Sequence, residues 1–212
     1  MDASPAYAKA SSLLSYCFSD RRPTKGMANL YLPDHPSPAS PVMVFLHGYG
    51  GSFLWYQHWL SEAFPNAIIL CPAYGMSPAR MPHEYLKEAI AAASARVGFD
   101  IKRPMLIGLS AGGFGACRAY TSSPAFYSQL ICLASYPPED TVTRFPKQGI
   151  VDFVAGAEEP FAKSGELDRA ARAIRRQGTA SRAHIVPDGN HFFILSHRNT
   201  SVDLLKKLFA GE

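Results

Sequence analysis

From residue 42 onward, compact apolar runs alternate with segments of helical composition, and this rhythm leaves few folds open. The runs cover residues 42–46, 67–71, 104–109, 129–134, 150–155 and 183–186. Each is continuous rather than alternating, the pattern of strands buried on both faces. Between them, residues 55–64, 83–97, 111–121 and 166–177 have the length and composition of helices, and 192–209 reads as a last covering helix. Strand, helix, strand repeated in this way predicts an α/β fold, a mostly parallel central sheet with helices on both faces. Ligands in such sheets sit at the carboxyl ends of the strands.

Upstream, residues 33–41 hold four prolines, which oppose regular structure and predict a stiff connection between two strands. Residues 12–19 and 28–32 have β-type composition and predict an antiparallel pair. The 212 residues fit one domain, 1–212, within which residues 1–40 supply the amino-terminal strands and the proline-rich linker. With 47% apolar and 18% charged residues, the chain has enough apolar mass for a sheet covered twice; disorder, collagen and coiled coil are excluded.

The formal charge of +4 is scattered, apart from short clusters such as Lys102-Arg103, so no nucleic-acid partner is expected. Cys17, Cys71, Cys117 and Cys132 lie far apart with no CxxC spacing, which gives no support to a zinc site or redox dithiol. Cys71, Cys117 and Cys132 read as buried free thiols. No cofactor motif is present. The amino terminus lacks a basic segment leading into an apolar core, and no apolar run approaches a membrane span, so the default expectation is a cytoplasmic protein. Nothing in the sequence fixes the oligomeric state.

The motif that carries chemistry is Gly108-Leu109-Ser110-Ala111-Gly112, a GxSxG in which an apolar strand runs into the serine and a small-residue helix follows at once. A serine on that bend is held in a strained conformation with its hydroxyl above the sheet edge, and small residues two before and two after let strand and helix pack closely. A hydroxyl is a poor nucleophile at neutral pH, so Ser110 needs an imidazole in hydrogen-bond reach and a carboxylate to orient it. His191 fits, because Val186-Pro187-Asp188-Gly189-Asn190 is a turn-rich loop that returns from the last strand to the same edge. His184 falls inside that strand, His197 inside the final helix and His35 in the linker.

For the acid, the strand ending at Ala155 leads into Gly156-Ala157-Glu158-Glu159-Pro160. Either glutamate could serve; Glu159 is the choice, since a turn starting at Gly156 returns its third following residue toward the sheet edge. Glu139 and Asp140 form a second candidate loop, and Asp188 is close enough to His191 to serve the turn itself. Val44-Phe45-Leu46-His47-Gly48-Tyr49-Gly50-Gly51 is an apolar strand ending in a glycine-rich loop. Its backbone N–H groups can approach a substrate, so the N–H of Tyr49 and that of Ala111 are the expected oxyanion donors. His47 reads as a structural hydrogen bonder. Neither GxxxxGK[ST] nor GxGxxG occurs, so no nucleotide motif competes.

Together these pieces resemble the α/β-hydrolase superfamily, in particular its small bacterial carboxylesterases and dienelactone-hydrolase-like members, from about residue 25 to the end. The resemblance rests on the order Ser110, Glu159, His191 and on the loop His47-Gly48-Tyr49-Gly50-Gly51. It implies an α/β-hydrolase fold and hydrolysis of a small-molecule ester through an acyl-enzyme. The chain departs from dienelactone hydrolases in carrying serine where they use cysteine, and from most of the superfamily in carrying glutamate where they use aspartate.

Many larger relatives insert a helical cap after the strand ending near Ser135, yet only residues 136–148 separate it from Gly149, so a minimal cap or none is expected. Phe53, Trp55, Tyr56, Tyr74 and Tyr136 fall near the expected mouth; of these, Trp55, Tyr74 and Tyr136 are the candidate substrate-binding residues. An open, aromatic-rimmed site favours short-chain acyl esters or exposed ester groups on a larger molecule. Competing readings are a thioesterase, a small peptidase, and a ligand-binding protein that keeps the scaffold without turnover.

Overall fold

A computed structural model describes residues 27–50, 53–74 and 78–211, with the side chains of Met27, Phe53 and Leu54 outside the description. Seven strands form one sheet: β1 (Met27–Tyr31), β2 (Val42–Leu46), β3 (Ile68–Ala73), β4 (Met105–Leu109), β5 (Leu130–Leu133), β6 (Ile150–Gly156) and β7 (Ala180–Val186). Their order is β1-β3-β2-β4-β5-β6-β7, with β1 antiparallel to β3 and every other pair parallel. The proline-rich stretch joins β1 to β2, which lie on either side of β3. Residues 12–19, expected to pair with the first of these strands, lie outside the described residues.

The sheet is apolar on both faces, because alternate residues of each strand feed two cores. On one face Val44, Leu46, Leu106, Cys132 and Phe153 pack under helices α2 (His83–Val97), α3 (Ala111–Ser122) and α6 (Glu166–Arg175). On the other, Met43, Phe45, Ile107, Ile131 and Val154 lie with residues of α1 (Phe53–Ala63) and of α8 (Arg198–Ala210). Three short helices complete the set: α4 (Glu139–Val142), α5 (Pro160–Lys163) and α7 (Phe193–Ser196). The stretch between β5 and β6 holds only α4, so no cap is inserted there. Cys71, Cys117 and Cys132 are buried free thiols; Cys17 lies outside the described residues.

The single carboxyl-terminal helix expected over 192–209 is two helices, broken at His197 (φ −122°, ψ 46°). Phe193 and Ile194 are fully buried, whereas His197 and Arg198, which a continuous helix would place on that same face, are polar and only partly covered or exposed. The break turns α8 so that Leu205 and Leu208 face the core instead.

At the amino-terminal half of β6, the fully buried Asp152 carboxylate accepts hydrogen bonds from His184 Nε2 and Arg182 Nε on β7, both at 2.8 Å, and from Gln129 Nε2 at 2.7 Å. Burial opposes ionisation of this carboxyl, but these donors outweigh it and hold the Asp152 pKa below its ordinary value. A depressed carboxylate pKa stabilises the fold above the unfolded value near about 3.9 and loses that contribution as pH falls through the folded value. Asp152→Asn therefore costs roughly 3 kcal/mol at pH 7, since it strands donors built around a charge. In urea titrations the gap from wild type narrows below about pH 4; a gap independent of pH would contradict the assignment.

Candidate active site

The crossovers diverge between β2 and β4. From β2 the chain leaves for β3 on one side, through α1 on one face; from β4 it leaves for β5 on the other side, through α3 on the opposite face. This reversal opens a crevice at the carboxyl ends of β2 and β4. Gly48 follows β2 there and Ser110 follows β4; a Cβ placed on Gly48 would lie 3.4 Å from Ser110 Cβ.

Ser110 has φ 51° and ψ −117°, a sparsely populated conformation for a residue with a side chain. The bend is held from several sides. Ser110 N–H donates to Leu133 O at 2.8 Å and Gly113 N–H to Ser110 O at 2.9 Å. Gly108 and Gly112 are required by space: a Cβ on Gly108 would overlap the Gly112 carbonyl, and one on Gly112 would overlap the carbonyl oxygens of Leu46 and His47. Backbone cannot yield as a flexible side chain would, so Gly112→Ala is expected to lower unfolding free energy by about 3 kcal/mol, read from urea denaturation. A loss under about 0.5 kcal/mol would mean that α3 shifts freely away from β2, contrary to the packing described.

His191 Nε2 lies 3.0 Å from Ser110 Oγ, and His191 Nδ1 lies 2.8 Å from Glu159 Oε1. A carboxylate only accepts, so Nδ1 carries the proton and Nε2 is left to accept from the serine hydroxyl. Glu159 is buried at 5% exposure, which shields the ion pair that forms when the ring is charged, whereas His191 is 43% exposed and faces solvent. Glu158 instead points outward and pairs with Lys163. The two loops are locked together, Ala157 N–H donating to Val186 O at 3.0 Å and Glu158 N–H to Gly189 O at 2.8 Å. That lacing brings residues 159 and 191 into register.

His47 is fully buried, with Nδ1 2.7 Å from Gly48 O, to which it donates; burial lowers its pKa and keeps it neutral. It thereby shapes the turn leading to Tyr49, whose side chain is 67% exposed. Ala111 is the first residue of α3, where backbone N–H groups have no partner in the preceding turn. His184 belongs to the Asp152 cluster and His197 to the break before α8. Asp140 of the second candidate loop pairs with Arg118. Asp188 turns the β7 loop in a left-handed conformation, φ 55°.

Of the three candidate substrate-binding aromatics, Trp55 packs on one core and Tyr74 and Tyr136 on the other. Trp55 is half-buried, its ring stacked parallel to Trp59 at 6.5 Å and packed on one core. Tyr74 packs on the other core beside Tyr85. Tyr136 stands between Phe114, edge-on at 5.7 Å, and Phe161 at 5.0 Å, and lines a cleft of about 650 Å³ with Phe114, Pro137 and Arg169. Phe114 and Phe161 were not singled out from sequence; Phe114 sits one helical turn after Ser110, a spacing that could have flagged it.

A seven-stranded, mostly parallel sheet with helices on both faces and a strained serine at the end of its fourth strand is an α/β-hydrolase fold. No protein-family model and no curated protein sequence matches the chain. Its similarity to solved structures is broad. It overlays on esterase PE8 with a TM-score of 0.67 at 19% identity, covering 87% of this chain and 99% of that one. A highly thermostable carboxyl esterase from Bacillus coagulans overlays with a TM-score of 0.70 at 10% identity, covering 87% and 93%. With a thermostable esterase the TM-score is 0.60 at 19% identity; there the match takes in 86% of this chain but only 58% of the other, larger one. At such identities the likeness is one of fold.

Proposed function

We propose that this chain is a serine hydrolase that cleaves carboxylic esters, with Ser110 as nucleophile, His191 as general base and Glu159 as its orienting acid. The observation that carries the reading is the unbroken hydrogen-bonded series from Glu159 through His191 to Ser110, set at the crevice where this sheet presents ligands. Esterases among the structural neighbours support the same reaction class.

In the first half of the reaction Ser110 Oγ attacks the ester carbonyl carbon while its proton passes to His191 Nε2. The buried Glu159 carboxylate stabilises the imidazolium that results. The N–H groups of Ala111 and Tyr49 receive the developing oxyanion, Ala111 with the positive end of α3 behind it. Collapse breaks the bond to the alkoxy oxygen, which takes the proton from His191 and leaves as the alcohol. In the second half a water gives its proton to His191, attacks the acyl-enzyme, and the acid departs as Ser110 recovers its proton.

The substrates are short-chain acyl esters or ester groups exposed on a larger molecule, because the chain between β5 and β6 holds only α4 and inserts no cap beside the crevice at the ends of β2 and β4. Tyr136 supplies an apolar wall to the neighbouring cleft. A series of p-nitrophenyl esters from acetate to laurate tests this: kcat/KM is expected to be highest for acetate and butyrate and to fall for the long chains. Turnover no faster than that of a Ser110→Ala variant across the whole series would overturn the reading.

A further inference from the structure

His191 holds its ring between two partners, Glu159 Oε1 at 2.8 Å and Ser110 Oγ at 3.0 Å, and it does so from a loop. Its own backbone gives it no anchor: among the hydrogen bonds of the described residues, none involves the N–H or the carbonyl of His191. The anchors lie on either side. Upstream, Gly189 is buried, its carbonyl accepts the Glu158 N–H at 2.8 Å, and it packs so closely on Gly156 that a Cβ added to Gly156 would lie 2.2 Å from Gly189 O. Downstream, the Phe193 side chain is fully buried. Between these fixed points, residues 190–192 alone set where the imidazole stands.

Asn190 closes that gap twice. Its carbonyl accepts the Phe193 N–H at 3.0 Å, which makes residues 190–193 a β-turn with His191 at the first central position. Phe192, at the second, has φ −102° and ψ 24°, close to the type I values of about −90° and about 0°. The Asn190 side chain then accepts the Phe192 N–H on Oδ1 at 2.8 Å, an Asx turn laid over the same residues. That bond spans His191, joining the residue before it to the residue after it. Asn190 is exposed and its side chain makes no other hydrogen bond among the described residues, so neither packing nor a wider network accounts for an amide at this position.

We propose that Asn190 is a positioning residue of the hydrolase: its side-chain oxygen, by capping the turn, fixes the backbone of His191 and with it the approach of Nε2 to Ser110. It touches no reacting atom and acts through His191. The proposal rests on the ester hydrolysis at Ser110 and adds a residue to that site. Without the cap the backbone of residues 190–192 is free to turn, and a displacement of about 1 Å is enough to slow a positioned reaction roughly a hundredfold. The surfaces that bind the ester are untouched by this, so the loss falls on kcat rather than on KM. Aspartate offers an acceptor oxygen at the same place, alanine offers none, and glutamine carries its amide one carbon too far out to close the turn.

The test compares Asn190→Ala, Asn190→Gln and Asn190→Asp on p-nitrophenyl acetate. Alanine and glutamine are expected to lower kcat by about tenfold or more with KM within about twofold of wild type, and aspartate to keep kcat within about threefold of it. Thermal unfolding checks that each variant folds; if alanine does not, glutamine against aspartate gives the same comparison. Proton NMR on protein with isotope-labelled histidine reads the ring directly and needs no turnover. The Nδ1 proton held by Glu159 gives a low-field signal in the wild type and in Asn190→Asp, and is lost to exchange with water in Asn190→Ala. An alanine variant with kcat within about twofold of wild type, even one that melts earlier, overturns the proposal, because the turn then serves the fold alone. So does an aspartate variant as slow as alanine, which would assign the effect to the amide N–H groups and not to the acceptor. Failure of the ester reading is separable, since it shows as a wild type that turns over no ester. In that case the Nδ1 signal still decides, and one unchanged in Asn190→Ala overturns the proposal.

Discussion

Replacing Ser110 by alanine is expected to lower kcat for p-nitrophenyl acetate by about four orders of magnitude or more, with the fold intact. The size follows from the role: without the hydroxyl no acyl-enzyme forms, and what survives is the binding and the oxyanion donors acting on water. The fold persists because what holds the bend is backbone, the Ser110 N–H to Leu133 O and Gly113 N–H to Ser110 O hydrogen bonds, and these are the same for alanine. Alanine bears a Cβ as serine does, so the strain at φ 51° is also unchanged, and the unfolding free energy should move by less than about 0.5 kcal/mol. His191→Ala should cost about as much activity as Ser110→Ala, and combining the two should add little, because the pair acts as a unit.

Changing Glu159 to glutamine gives the second large effect, a fall in kcat of roughly 10³- to 10⁴-fold. Glutamine keeps the shape but offers an N–H donor and no charge. A donor turned toward His191 Nδ1 would select the wrong tautomer and place a proton on the nitrogen that must accept from Ser110. The same change at Glu158 should alter kcat by less than about twofold, since its pairing with Lys163 is an exposed ion pair of small energetic weight. Equal effects at the two positions would contradict the assignment of the acid.

How much of this was legible in the sequence varies with the range of the interaction. β2 and α2 fall where their composition places them, because a strand buried on both faces and a helix with one buried stripe each leave a local periodic mark. The GxSxG bend is equally local, since strand, serine and helix are contiguous. The division of the last helix at His197 was missed because it depends on which face meets the sheet, a matter of tertiary packing. Glu159 could be chosen over Glu158 only by counting along a turn. What separates them in space is the lacing of that loop to Gly189, thirty residues away, and no local pattern records it. His184 reads as an ordinary strand residue, and only the neighbouring strand reveals Asp152 as its partner. The division of Trp55 from Tyr74 and Tyr136 between the two cores has the same cause: an aromatic near a strand end is as suited to core packing as to a pocket, and the sequence does not distinguish them.

The most direct measurement of the central claim is covalent labelling with a fluorophosphonate, followed by mass mapping of the adduct. A single phosphonyl group on Ser110 is expected, formed quickly in the wild type and slowed by several orders of magnitude in His191→Ala, because the reagent reports a hydroxyl whose proton is being taken. An adduct on another residue, or a Ser110 that stays unmodified in protein that still turns over esters, would contradict the account.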